Sequence, residues 1–171
     1  MAAGNQRLQW RPRVSGSEVA DPPRGPAEPL RSAMPPPDKV QLVGPEPLAL
    51  DHQCVLEHFL GLNQDDARRF YVGRMHFLAE DFMWMAPAGL RHYLPPVLEY
   101  LKSEEGKEDG DAAHGILCSL STQIQLHSPL PPDIVALSQE ICACVKQHCK
   151  RFRISPREEL FREYISTIEN A

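Results

Sequence analysis

PPDIVALSQEICACVKQHCKRFR, residues 131–153, is the stretch whose spacing decides the fold. Ile134, Leu137, Ile141, Cys144 or Val145, His148 and Phe152 recur every three or four residues, which places them on one face of an α-helix. Pro132 stands where a first-turn proline sacrifices no hydrogen bond. The spacing predicts a helix from Pro132 to about Arg153. Beyond it, Ser155, Pro156 and Glu158 read as a cap, a first-turn proline and an acid at the capping-box position. They open a last helix carrying Leu160, Phe161, Tyr164, Ile165 and Ile168.

The same period extends toward the N-terminus. Pro129, Pro131 and Pro132 form a rigid turn, preceded by a predicted helix from Ala112 to about Leu126 with Ile116, Leu117, Leu120 and Ile124 inward. SEEGKEDGD, residues 103–111, is a charged loop. Pro87 opens a helix bearing Leu90, Tyr93, Leu94, Val97, Leu98 and Leu101, which Pro95 and Pro96 should kink or split near Leu94. MHFLAEDFMWM, residues 75–85, reads as a short helix or irregular core segment, with Phe77, Leu78, Phe82 and Met85 inward. Asn63 and Asp66 start a helix through Phe70 and Tyr71, closed by Gly73. Asp51 caps another whose Cys54, Val55, His58 and Phe59 share a face, ended by Gly61. No Asn-Gly hairpin signal and no repeat occurs. The expectation is an all-α bundle of about six or seven helices over residues 48–171.

Residues 1–47 read differently. Ten of the 17 prolines lie in the first 50 residues, in stretches such as ADPPRGPAEPL and MPPPDK. Proline removes a backbone donor and fixes φ, and such a composition buries too little apolar surface to offset ordering. A disordered proline-rich tail is expected, biased to polyproline II around Pro35, Pro36 and Pro37. It could serve a proline-recognising domain, but an uncommitted linker, or an extension ahead of a start at Met34, accounts for it better.

The chain has 171 residues, 42% hydrophobic and 24% charged, with a net charge of −5. That supports a packed core and disfavours a dedicated nucleic-acid binder. No apolar run approaches the roughly 18 residues of a membrane span. Five cysteines (Cys54, Cys118, Cys142, Cys144 and Cys149) show no framework spacing, and a secretory signal is not expected. Reduced thiols in the cytoplasm are the expectation.

Several constellations bear on chemistry. Cys144 and His148, one turn apart on a helix, are potential zinc or copper ligands. Four tetrahedral ligands cannot come from one helix, however, and free cysteine commonly packs as a small apolar group. No cofactor is therefore expected. A cysteine nucleophile needs a base and a lowered pKa. The Cys118–His114 and Cys54–His58 pairs satisfy amphipathic packing equally well. No GxGxxG or GxxxxGK[ST] cradle occurs. Glu80 and Asp81 are flanked by apolar residues, so a carboxylate there calls for a partner such as Arg74 or Arg91. The basic run Lys146, Lys150, Arg151, Arg153 and Arg157 straddles a helix end, where cations complement the dipole. An acidic partner surface suits it better than nucleic acid. Met83, Trp84 and Met85 would make an adaptable contact surface if exposed. Core placement is expected for at least two of the three.

MWMAPAGLRHYLPPVLEYL, residues 83–101, resembles a motif of an uncharacterised family of small bacterial helical proteins, a domain of unknown function. The matching residues are Met85, Pro87, Gly89, Tyr93, Leu94 and Pro95, within a span from about Phe70 to Leu101. The resemblance implies a compact helical domain and brings no catalytic residues.

The sequence reading is thus a helical, non-enzymatic module that binds another protein, with Trp84, Met83, Lys150, Arg151 and Arg153 as candidate contacts. Its alternatives are a thiol- or metal-dependent activity using Cys144 and His148, and a nucleic-acid adaptor using residues 146–157. No membrane partner is expected, and the sequence leaves a small-molecule substrate undecided.

Overall fold

The computed structural model describes residues 34–45 and 49–171. In chain order it contains α1 (Lys39–Val43), α2 (Leu50–Phe59), α3 (Gln64–Tyr71), α4 (Met75–Leu78), a 3-10 segment (Ala79–Trp84), α5 (Pro87–Lys102), α6 (Gly110–His127), α7 (Pro132–Gln147) and α8 (Glu159–Glu169). There is no strand among the described residues, so the fold is all-α. None of these helices is long and apolar enough to cross a membrane.

Two helices organise the packing. α5 lies against α1, α3 and α7, while α6 lies against α4, the 3-10 segment, α7 and α8. An aromatic cluster from α2, α3, the 3-10 segment and α5 fills part of the core. The Phe59 ring stands 5.0 Å from Tyr93 and 5.6 Å from Phe82, distances at which aromatic pairs gain beyond simple burial. Each buried tyrosine hydroxyl finds an acceptor, for Tyr100 the Asp109 carboxylate at 2.5 Å. Tyr93 donates to the Phe59 carbonyl at 2.6 Å, and Tyr71 donates to the Tyr93 carbonyl at 3.0 Å. Burial pushes the Tyr93 hydroxyl up to about 12.

Pro95 and Pro96 do not split α5, which runs unbroken from Pro87 to Lys102. A proline at 96 deprives the His92 carbonyl of its helical donor. The Gln64 side chain at the start of α3 supplies one instead, at 2.9 Å. Tertiary packing thus repairs part of what the sequence takes from the helix.

The boundary expected after residue 47 is corrected by α1. Its Leu42 is fully buried and Val43 nearly so. No proline occupies 38–44, and Asp38 with Gln41 forms a reciprocal capping box that satisfies the short helix's first donors. The Leu42 carbonyl then accepts from Ala86 N–H at 2.8 Å, tying α1 to the start of α5. The close approach requires Gly89, because a Cβ there would lie 2.8 Å from that same carbonyl. The expectation of a disordered tail over residues 1–33 lies outside the described residues.

Other boundaries move as well. α2 is preceded by Ala49, whose N–H donates to His52 Nδ1 at 3.0 Å, while Asp51 sits in the first turn. α7 ends at Gln147 rather than near Arg153, because His148 leaves the helical region and Arg153 adopts a left-handed φ of 56°. Phe152 still reaches the core, from a turn whose N–H groups at Arg151 and Phe152 bond back to the His148 carbonyl. Ser155–Arg157 is likewise a turn, and α8 begins only at Glu159. Phe77, expected inward, is exposed, and so is Leu160 on α8.

Candidate interaction groove

α6 carries three buried polar residues, Ser119, Ser121 and Gln123, and the first and last of them meet its neighbour. Both serve the neighbouring 3-10 segment. The Ser119 hydroxyl donates to the Ala79 carbonyl at 2.6 Å. Gln123 Nε2 lies 2.9 Å from each of the carbonyls of Phe82, Met83 and Met85. A helix end leaves its last carbonyls without intrahelical donors, so one side-chain amide closes this terminus. The two elements approach closely at Gly115, where a Cβ would stand 2.9 Å from that of Ala79.

Above this floor opens a cleft of about 480 Å³. Its walls come from Met83 and Trp84 at the end of the 3-10 segment, Leu126 at the end of α6, Leu130 in the following turn, and His52 on α2. Among the described residues that line it there is no Asp, Glu, Lys or Arg. The expectation that at least two of Met83, Trp84 and Met85 are core is corrected. Only Met85 is buried, Met83 is partly covered, and Trp84 is 38% exposed. Ala79, Asp81 and Phe82 take the buried positions of the 3-10 segment, and Met83 and Trp84 fall outside that face.

Two polar residues of the cleft, His52 and Gln123, have defined roles. His52 Nδ1 accepts from Ala49 N–H, which leaves the ring proton on Nε2. The ring meets Trp84 edge-on, with centroids 5.8 Å apart and planes at 80°. In Gln123, three carbonyls fix the amide nitrogen, so the amide oxygen must occupy the other position. That oxygen accepts no hydrogen bond from a described residue, and Gln123 is among the residues that line the cleft. It is an unpaired acceptor in the wall of an apolar cleft. The sequence reading missed Gln123. Its signal was a polar residue three positions after Leu120 and seven after Ile116, on the inward stripe of α6.

The remaining candidates disperse. Cys144 is buried and burial raises its thiol pKa, whereas His148 is exposed beyond the last turn of α7. Among the described residues no three His, Cys, Asp or Glu side chains gather as a metal-binding set. Of the basic run, Lys146 pairs with Glu169, Arg153 with Glu108 at 2.5 Å, and Arg151 donates to the Ser103 carbonyl beside Glu104. Its positive charge is largely answered within the chain, with Lys150 exposed at its centre.

Asp81 takes neither arginine suggested by the sequence. It bonds His58 Nδ1 at 2.6 Å, while Arg91 forks onto Asp133 and Arg74 lies 5.0 Å over the Phe70 ring. Burial raises the Asp81 carboxyl pKa, and the His58 contact opposes that rise.

The chain matches no family model, no curated protein and no solved structure.

Proposed function

We propose that the protein is a non-enzymatic helical module that binds another protein through the Met83–Trp84 cleft. The observation that carries this reading is the pairing of exposed apolar walls with a fixed floor. Leu126 is 67% exposed and Trp84 38%, while the residues beneath them are anchored by the Gln123 hydrogen bonds. Large apolar groups held in water around a concavity gain by being covered, and aromatic and methionine side chains dominate such contacts. Five free cysteines fit a reducing compartment, so we place the protein in the cytoplasm.

A photo-crosslinking amino acid at Leu126, compared with one at Leu160 on α8, tests the reading in the source cell. The expected result is a polypeptide adduct from position 126 that is lost with Trp84→Ala. Equal adducts at both positions, or none at 126, would overturn it. The nucleic-acid alternative has little support, because Lys146, Arg151 and Arg153 already face acids or carbonyls.

A further inference from the structure

The cleft also carries information about what fills it, on the reading that it binds a protein. We propose that the occupant is an amphipathic helical segment of a partner. It presents large uncharged side chains one turn apart, one of which donates a hydrogen bond to Gln123 Oε1.

Four observations lead there. The first is size. A cavity of ~150 Å³ accepts one benzene-sized group, so the cleft of about 480 Å³ holds several side chains rather than one. The second is charge. None of the described lining residues is an acid, a lysine or an arginine, so a charged anchor would find none of these to pair with. The third is the unpaired acceptor. Covering Gln123 Oε1 with hydrocarbon would cost the hydration of an amide oxygen, whereas an incoming N–H or O–H recovers it. Tryptophan and tyrosine combine an apolar body with such a donor.

The fourth concerns the partner's backbone. The described residues form no sheet, so there is no edge on which an extended peptide could pair its amides. Such a peptide would bring unpaired N–H and C=O groups into an apolar cleft. A helix arrives with its own backbone satisfied and offers side chains at i, i+3 or i+4 and i+7. The exposed rim at Leu126 and Trp84 extends the contact beyond the concavity, a footprint suited to a helix face rather than a small molecule.

The full-length protein is panned against a phage-displayed random peptide library. Enriched peptides are then synthesised and titrated against the wild-type, Leu126→Glu and Trp84→Ala proteins. We expect sequences with uncharged large residues at helical spacing, gaining helical circular dichroism on binding and weakened by both rim substitutions. Replacing the anchor indole by naphthyl, which keeps the area and removes the N–H, should cost about tenfold in affinity. Equal affinity for the naphthyl peptide overturns the role of Gln123. Enrichment of charged or proline-rich extended peptides at the cleft overturns the helical class. Crosslinks from position 126 without any cleft-dependent peptide overturn this inference and leave the protein-binding reading standing. A small molecule that co-purifies with the wild type and is lost with Leu126→Glu overturns it in favour of a ligand pocket.

Discussion

Gln123 Nε2 and the carbonyl of Met85 lie 2.9 Å apart, joining the middle of α6 to the residue that leads into α5. The same amide also reaches Phe82 and Met83. One side chain therefore sets both the stability of a helix terminus and the floor of the candidate groove.

Gln123→Leu keeps the volume and removes the donors. Buried carbonyls at the end of the 3-10 segment would then lose their partner, at a cost of about 2–3 kcal/mol. Urea denaturation measures this directly. Gln123→Glu should be comparably harmful, because a carboxylate would face three carbonyl oxygens. A loss below about 0.5 kcal/mol for the leucine variant would show that water replaces the amide and that the floor is not fixed by it.

Glycine-to-alanine substitutions inside α5 and α6 should run against the usual sign. In an ordinary helix position the change stabilises by roughly 0.5–1 kcal/mol. At Gly89 the new methyl would meet the Leu42 carbonyl at 2.8 Å, and at Gly115 it would meet the Ala79 Cβ at 2.9 Å. Neither neighbour is the end of a flexible side chain, so backbone must move. Each substitution is expected to destabilise by about 1–3 kcal/mol, the usual cost of overpacking. For Gly89→Ala, hydrogen exchange at Leu42 and Val43 should accelerate before the core does. Unchanged or raised stability at position 89 would mean that α1 is not seated against α5 as described.

How much was legible beforehand follows from where each signal resides. Ile116, Leu120 and Ile124, or Phe161, Ile165 and Ile168, reveal their helices because periodicity is written within a single element. α1 was missed because one helical turn is too short to show a period, and its Leu42 is held by Ala86 and Gly89, far along the chain. That α5 continues rather than splits at Pro95 and Pro96 was undecided for a related reason, since the Gln64 donor that serves the His92 carbonyl belongs to another helix. The groove was half legible. Met83 and Trp84 stood out by composition, but their exposure depends on a 3-10 segment and a glutamine whose burial only tertiary packing defines.

Thiol chemistry provides an independent check on the cysteine helix. Burial pushes the Cys142 thiol up to about 11 and raises Cys144 and Cys149 as well. The thiolate is the reactive form, so these three should resist iodoacetamide in the folded protein at mildly alkaline pH. Cys54 and Cys118, which are half-buried, should be alkylated first, and all five should react in urea. Mass-spectrometric mapping of the labelled sites distinguishes them. Rapid native labelling of Cys144 would revive a thiol-dependent activity centred on Cys144 and His148.

Acid sensitivity should trace to His92. The residue is 1% exposed, and neither ring nitrogen has a hydrogen-bond partner among the described residues. Burial lowers its pKa, with only a partial offset from the nearby Leu62 carbonyl. The unfolded chain, with histidine titrating near 6.5, therefore takes up its proton at a higher pH than the folded one. Stability is full above about 6.5 and falls as the pH drops below it, until the folded-state value is reached. The slope approaches about 1.4 kcal/mol per pH unit within that window. Asp81 acts with the opposite sign, since its raised pKa lets the folded state bind a proton more readily as acid is added. Comparison with His92→Phe isolates the histidine, because the substitution keeps a ring against Tyr93, now 4.6 Å away edge-on, and removes the titration. Urea midpoints between pH 7.5 and about 5 should fall for the wild type and flatten for the variant. Parallel pH profiles for the two proteins would show that His92 reaches water or a partner on protonation at little cost.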